Sequence, residues 1–534
     1  MLANETSRFE LRDIFKSKTF AWFLMIAAFA YLFFLTYLRA REGLYFDDAY
    51  MFVRYATNLI NYGTYGWNAN EHTYGCTNIS FTFFIALLQV IHLDRLFGLS
   101  TMLLLSSLCW AMASLAMMAR VIRLLLGKSM GQHPWLIDVY VGTLAFAPVL
   151  ALNVITGMDT TFSMFFNVLM IYYLLLLNQK QTNNRVVVSA FFSYFIFLVR
   201  PDCGLYSFLL PLLMFIESRK SVRLIITYFS LLLLFFTADT IVKKLYFGNP
   251  FPLPYFVKKQ GYYRGYLGAA SWNGIQYSFD FLFNFGLLFI GLLIFRTGKA
   301  LRKFLVFGIP LAITMVYYLS INQMMGFHAR YYLPSMPFFV IGTCYGFSEM
   351  KEVHISLRKM LLPLTFGIFL IMLNFGAPVY GDWMKQRAKA DAALYPLPHS
   401  LREKLPIRFT DYKLVLQAMQ TILSSLPENS TIAATENGLL SVQFPRFTIL
   451  DLSGLQNREI AFHGYGDKIL ATWRPVLIWL PPNEFTSLRR EILLGSYFTE
   501  HYDYFPGAMD YGIAILKTSP QHDGIVRDMM SRYY

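Results

Sequence analysis

The chain is poor in charge and in cysteine, and it has none of the short motifs that cradle soluble nucleotides. Asp, Glu, Lys and Arg make up 15% of its 534 residues, where a soluble domain carries about 25%. That shortage excludes a cytosolic enzyme and a disordered chain. Only four cysteines are present, Cys76, Cys109, Cys203 and Cys344, which excludes a disulfide scaffold, and no CxxC or Cys/His spacing points to a metal module. No P-loop and no GxGxxG occurs. The net charge of +14 comes without a Lys/Arg run or an RNA-binding signature, so nucleic acid is not an expected partner. There is no internal repeat or low-complexity tract, and no small-residue cleavage site follows the first apolar run, so no cleavable signal peptide is expected.

What fills the chain is apolar and aromatic. Hydrophobic residues are 56% and aromatic residues 18%, and the mean hydropathy is +0.43. A soluble globule of this size could not hide that surface, so the chain reads as a polytopic α-helical membrane protein. Candidate spans are 19–38, 99–119, 135–152, 160–177, 186–199, 203–216, 224–242, 279–295, 304–320, 331–347 and 360–377. The apolar run 78–93 is ambiguous. The basic connections around Arg12, Arg123, Arg219, Arg302 and Arg358 can all be cytoplasmic only if that run lies in the interface and does not cross. Eleven spans result, with the N-terminus inside and the C-terminus outside. Segments 39–98, 153–159, 243–278 and 321–330 and the Arg200-Pro201-Asp202 turn then share the outer side.

From about residue 379 charges return and turn signals punctuate the chain. Short β-rich runs at 431–435, 447–452, 476–480 and 511–516 accompany an amphipathic helix at 411–425. The expected organisation is a transmembrane catalytic domain, 1–378, and an extracytoplasmic α/β domain, 379–534, that is a candidate for carbohydrate binding.

Candidate chemistry gathers on the outer side. Asp47 and Asp48 stand just past the first span; either can cap a helix, yet carboxylates at a membrane surface are costly unless used. The following segment carries Tyr74, Thr77 and Asn78 among glycines and aromatics, the mix of a sugar-binding surface. Asp159, Arg200 with Asp202, Lys258 after a Pro-rich loop, and His328 with Arg330 also fall at span ends. Lysine there also suits headgroup contact, and Arg330 suits a bidentate clamp on phosphate. Acids beside cations at one membrane surface suit a lipid-linked phosphate donor: cations hold the phosphate while a carboxylate deprotonates an acceptor hydroxyl.

These residues also resemble a known family. The run Asp47-Asp48-Ala49-Tyr50, with Arg54-Tyr55-Ala56, Gly66-Trp67-Asn68 and Tyr74-Gly75-Cys76-Thr77-Asn78 behind it, resembles the first loop of the terminal β-(1→2)-arabinofuranosyltransferases of actinobacterial cell walls, members of the GT-C superfamily. Gly157-Met158-Asp159-Thr160, Val199-Arg200-Pro201-Asp202, the 251–258 stretch ending in Lys258, and His328-Ala329-Arg330 resemble its later motifs in order. Glu436-Asn437-Gly438 and 449–457 resemble C-terminal segments of the same family. Two departures stand out: Gln323-Met324-Met325-Gly326 occupies the place of a usual acidic residue, and Cys76 interrupts the first loop.

The resemblance implies a GT-C-like fold and an inverting transferase in a bacterial plasma membrane. It would move a sugar, arabinofuranose or another pentose or hexose, from a polyprenyl-phosphate donor to a hydroxyl of an extracytoplasmic glycan, lipid or protein. Asp47 is expected as the base, with Asp48 orienting substrate or exchanging roles with it. Arg330, Lys258, His328 and Arg200 would hold the donor phosphate, and Asp159, Tyr74, Thr77, Asn78 and Glu436 the acceptor side. No cofactor is expected to be required; a divalent metal is left open. The alternative is a lipid or saccharide transporter, for which Arg200-Pro201-Asp202 is the one helix break.

Overall fold

The computed structural model describes residues 18–43, 46–126, 135–259, 270–285, 298–320, 327–348, 412–481, 485–506 and 512–533. Its long apolar runs are helical, as lipid demands of a backbone that must satisfy its own polar groups. Among the described residues five helices are long and apolar enough to cross a bilayer: Thr19–Glu42, Leu99–Leu126, Thr160–Gln179, Val222–Phe247 and Gly298–Leu319. Two further helices, Ile137–Leu144 and Pro148–Val154, are bent by 61° and make a sixth if they count as one span. Pro148 stands at the start of the second, where it has no N–H with which to continue the first. The outer helices keep apolar faces bare: Trp22, Phe23 and Ile26 on the first, Leu233, Leu234 and Leu245 on Val222–Phe247. Such faces belong against lipid.

The expected count of eleven is not met. Runs 186–199, 203–216 and 331–347 give helices of 17, 14 and 12 residues, Asn183–Val199, Gly204–Glu217 and Met336–Phe347, all shorter than the ~20 residues a span needs. Short 3-10 turns at Pro201–Cys203 and Leu333–Ser335 shorten them. The run 279–295 is described only as far as the end of helix Ala270–Phe285. The run 360–377 and the boundary at 378 lie outside the described residues. The ambiguous run 78–93 forms Ile79–Val90, 12 residues long, or about 18 Å. That is too short to cross, and it is two-faced: Phe81 and Ile85 are buried while Phe83, Leu87 and Val90 are exposed.

The C-terminal region builds a five-stranded sheet from β1 (Thr431–Ala434), β2 (Thr448–Asp451), β3 (Leu477–Trp479), β4 (Tyr502–Phe505) and β5 (Ile513–Leu516). Their order is β2-β1-β3-β5-β4, parallel for β2-β1-β3 and antiparallel for β3-β5-β4. Alternate residues bury opposite faces. Ala433, Leu450, Ile478 and Ala514 pack under helices Arg458–His463, Asp467–Trp473 and Thr486–Leu494. Ile432, Ala434, Ile449, Leu477 and Trp479 face the other way, into one core with Tyr50, Phe52, Val53, Trp67 and Tyr74 of the first loop. The loop and the C-terminal region therefore fold together across the whole length of the chain.

Candidate active site

The loop helix Asp47–Tyr62 follows the first span and carries both acids in its first turn. Asp48 Oδ2 accepts a 3.1 Å bond from Arg330 Nη2. Arg330 leaves a turn in which His328 and Ala329 take left-handed backbone at φ 58° and 52°, a conformation that costs non-glycine residues free energy and turns the chain sharply. Asn153 braces that turn, donating to the His328 carbonyl at 2.9 Å. The Arg330 guanidinium lies over the rings of Phe46 and Tyr331, 5.3 and 5.4 Å from their centroids. Its Nη1 is buried and has no hydrogen-bond partner among the described residues. Asp48 Oδ1 also has none there.

The other cations and acids gather beside this pair. Arg200 grips Asp202 with two bonds of 3.0 and 2.5 Å, and Tyr318 donates to the same carboxylate at 2.7 Å. Arg200 stacks 5.6 Å from the Tyr331 ring, so the two guanidinium groups share one aromatic ring, each contact worth about 0.5–2 kcal/mol. Asp159 lies close enough to act electrostatically on both Arg200 and Arg330. It does not cap its helix; it accepts a 2.9 Å bond from Asn78, which itself caps helix Ile79–Val90 through Phe81 N. Residues 48, 78, 159, 200 and 330 thus come together.

Asp47 does something else. Its two oxygens accept the backbone N–H groups of Gly438 and Leu439, at 2.6 and 2.8 Å, from the C-terminal domain. Burial outweighs those bonds, with a further push from Asp48, and raises the carboxyl to about 6. With both oxygens engaged, Asp47 is a poor fit to the base role expected of it. Neighbours on a helix point about 100° apart, which is why two adjacent acids serve two different partners.

The remaining expected residues divide. Tyr74 is 2% exposed and stacks on Phe247 at 4.9 Å, so it offers no open face to a sugar. Trp67 of the same loop is fully buried. That loop is a core: its aromatic rings pack into one cluster with the sheet. Thr77 is half-buried beside Asn78. Lys258 belongs to helix Leu253–Lys259, whose Leu253 and Val257 pack on Ile460 of the C-terminal domain; its side chain lies outside the described residues. Burial holds the His328 imidazole below its usual range, which favours the neutral ring. Glu436 is buried just past β1, next to Asn437, which donates to Asp451 at 3.1 Å.

Sequence reasoning missed Tyr331, whose signal was only an aromatic beside a cation. It gave Arg54 no role, although a cation inside a loop helix was visible. It also missed Asp239 and Lys243, a 2.7 Å pair four residues apart in an apolar helix, where any ionisable group calls for a partner. Among the described residues no three His, Cys, Asp or Glu side chains form a group able to hold a metal ion. No model of a known protein family matches this chain, and no curated protein matches it.

Proposed function

We propose that the chain is an inverting glycosyltransferase that uses a polyprenyl-phosphate sugar, with Asp48 as base. The observation that carries this reading is the Asp48–Arg330 pair, in which each group keeps one atom without a partner. A phosphate oxygen of the donor binds Arg330 Nη1 while Nη2 holds the Asp48 carboxylate in its aim. The acceptor hydroxyl attacks the anomeric carbon and passes its proton to Asp48 Oδ1. The bond from that carbon to the phosphate oxygen breaks, and its electron pair leaves with polyprenyl phosphate. Arg200, held by Asp202, offsets the charge gained by the leaving group. Asp159 and Asn78 line the acceptor side.

In this reading the molecule is a GT-C-like protein of a bacterial plasma membrane, with the N-terminus cytoplasmic and the site and C-terminal domain outside. One observation favours the transporter reading, the 61° bend between Ile137–Leu144 and Pro148–Val154. Its residues Ala145 and Ala147 are buried and apolar, however, whereas a transport site needs polar groups at such a break.

The test is turnover by the purified chain in nanodiscs. A panel of polyprenyl-phosphate pentoses and hexoses is supplied, and release of free polyprenyl phosphate is followed by mass spectrometry. Asp48→Asn should lower turnover about 10²- to 10⁴-fold and leave donor binding intact. Unchanged turnover in Asp48→Asn ends the assignment.

A further inference from the structure

Asp47 and Arg54 are seven residues apart, two turns of one helix, or about 10.5 Å. They reach the two ends of a single element, the six-residue helix Gly438–Gln443. Asp47 takes the N–H groups of Gly438 and Leu439 at its start. Arg54 donates to the carbonyls of Ser441 and Pro445 at 2.9 and 2.6 Å and of Phe447 at 2.9 Å, at its end and just beyond. Its fourth bond, 2.9 Å to the Trp67 carbonyl, ties the clamp to the loop's own core. The Gly438 and Leu439 N–H groups and the Ser441 carbonyl are among those a helix leaves unsatisfied at its ends. The fit is close: a Cβ on Gly438 would lie 2.1 Å from the Asp47 carbonyl oxygen. Secondary ties run alongside, Tyr55 to Gln456 at 2.5 Å, and Asn68 bonded both ways to Ile449 of the edge strand β2.

Asp48 rides on the same first turn as Asp47, so the seat of that turn sets where its carboxylate lies relative to Arg330. We infer that Asp47 and Arg54 are positioning residues: by gripping both ends of helix Gly438–Gln443 they make the docked C-terminal domain a required part of the site that aims Asp48. This rests on the reading of Asp48 as base.

The experiment compares Asp47→Asn, Gly438→Ala and Asp48→Asn in the full chain in nanodiscs, measuring amide hydrogen exchange over 438–443 together with kcat and donor KM. Asp47→Asn keeps the size but only one good acceptor, and Gly438→Ala wedges the interface. Both should expose the 438–443 amides and lower kcat by up to about 10²-fold, the scale of a small misplacement, with donor KM within about threefold. Asp48→Asn should lose turnover and keep the protection. Turnover lost in Asp47→Asn with 438–443 still protected overturns the inference, since that is the signature of a base. Protection lost with kcat unchanged overturns it as well. Should Gly438→Ala fail to accumulate, Asp47→Asn alone decides. Full turnover in Asp48→Asn refutes the functional reading instead, and the exchange data then still support or overturn the clamp.

Discussion

Replacing Arg54 by Ala should undock the C-terminal domain without unfolding it. Arg54 is 2% exposed and donates to four carbonyls at 2.6–2.9 Å. The Trp67 carbonyl keeps a bond from Asn58, so three acceptors lose their donor; at roughly 1–3 kcal/mol for a buried one, and less for the partly exposed Pro445 carbonyl, they are worth about 4.5 kcal/mol. Against this stands the cost of burying the cation. Burial is the largest influence on the guanidinium and lowers its pKa to about 10, which corresponds to about 3 kcal/mol at ~1.4 kcal/mol per pH unit. The net loss is about 1.5 kcal/mol, and since 1.4 kcal/mol is tenfold, the 438–447 amides should lose roughly tenfold in protection against hydrogen exchange. Arg54→Lys keeps the charge but presents one nitrogen, which cannot span the four oxygens, and should give about half the loss in free energy. The membrane helices should exchange as before. A change of less than about threefold in Arg54→Ala would refute the reasoning, because the carbonyls would then be held by something else.

Three further outcomes follow from the same geometry. Tyr331→Ala removes the ring shared by Arg200 and Arg330 and should lower thermal stability by about 1–3 kcal/mol; an unchanged thermal midpoint would contradict it. Asp451 is fully buried and its pKa is raised to about 6 by burial, which outweighs its bonds from Ser453, Gln456 and Asn437. The folded domain therefore holds the proton more tightly than the unfolded chain, so stability is greatest below about pH 4, declines by about 3 kcal/mol as pH rises to 6, and is flat above. Pulse proteolysis of the purified chain from pH 4.5 to 7.5 reads this, and resistance that rises over that range contradicts it. Leu234→Lys puts a charge midway along a bare helix face and should cost about 3 kcal/mol of membrane integration. Leu245→Lys, 81% exposed at the helix end, should snorkel and be tolerated; equal integration of the two variants would argue against a lipid-facing helix.

Much of the architecture was legible because its cause is local. Apolar runs of twenty residues must be helices in lipid, and polar residues at alternate helix ends must share one side, so Asp48, Asp159, Arg200 and Arg330 were collected from four distant places in the chain. Span number was less so, since hydropathy does not register the 3-10 turn at Pro201–Cys203 or the bend before Pro148. The first loop was misread for a physical reason: a surface that stacks sugars and a core that packs against a sheet are built from the same Tyr, Trp, Gly and Asn. Composition cannot distinguish them until it is known what lies opposite.

The amino-acid order alone determined that this is a membrane-type chain with an α/β region and a cluster of acids and cations at its helix ends, because those properties depend on residue type and periodicity. Only the tertiary structure decided that Asp48 faces Arg330 while Asp47, one residue earlier, holds helix Gly438–Gln443. Which partner an ionised side chain meets depends on direction over a few ångströms, and direction is set by elements almost 400 residues apart that pack into one core.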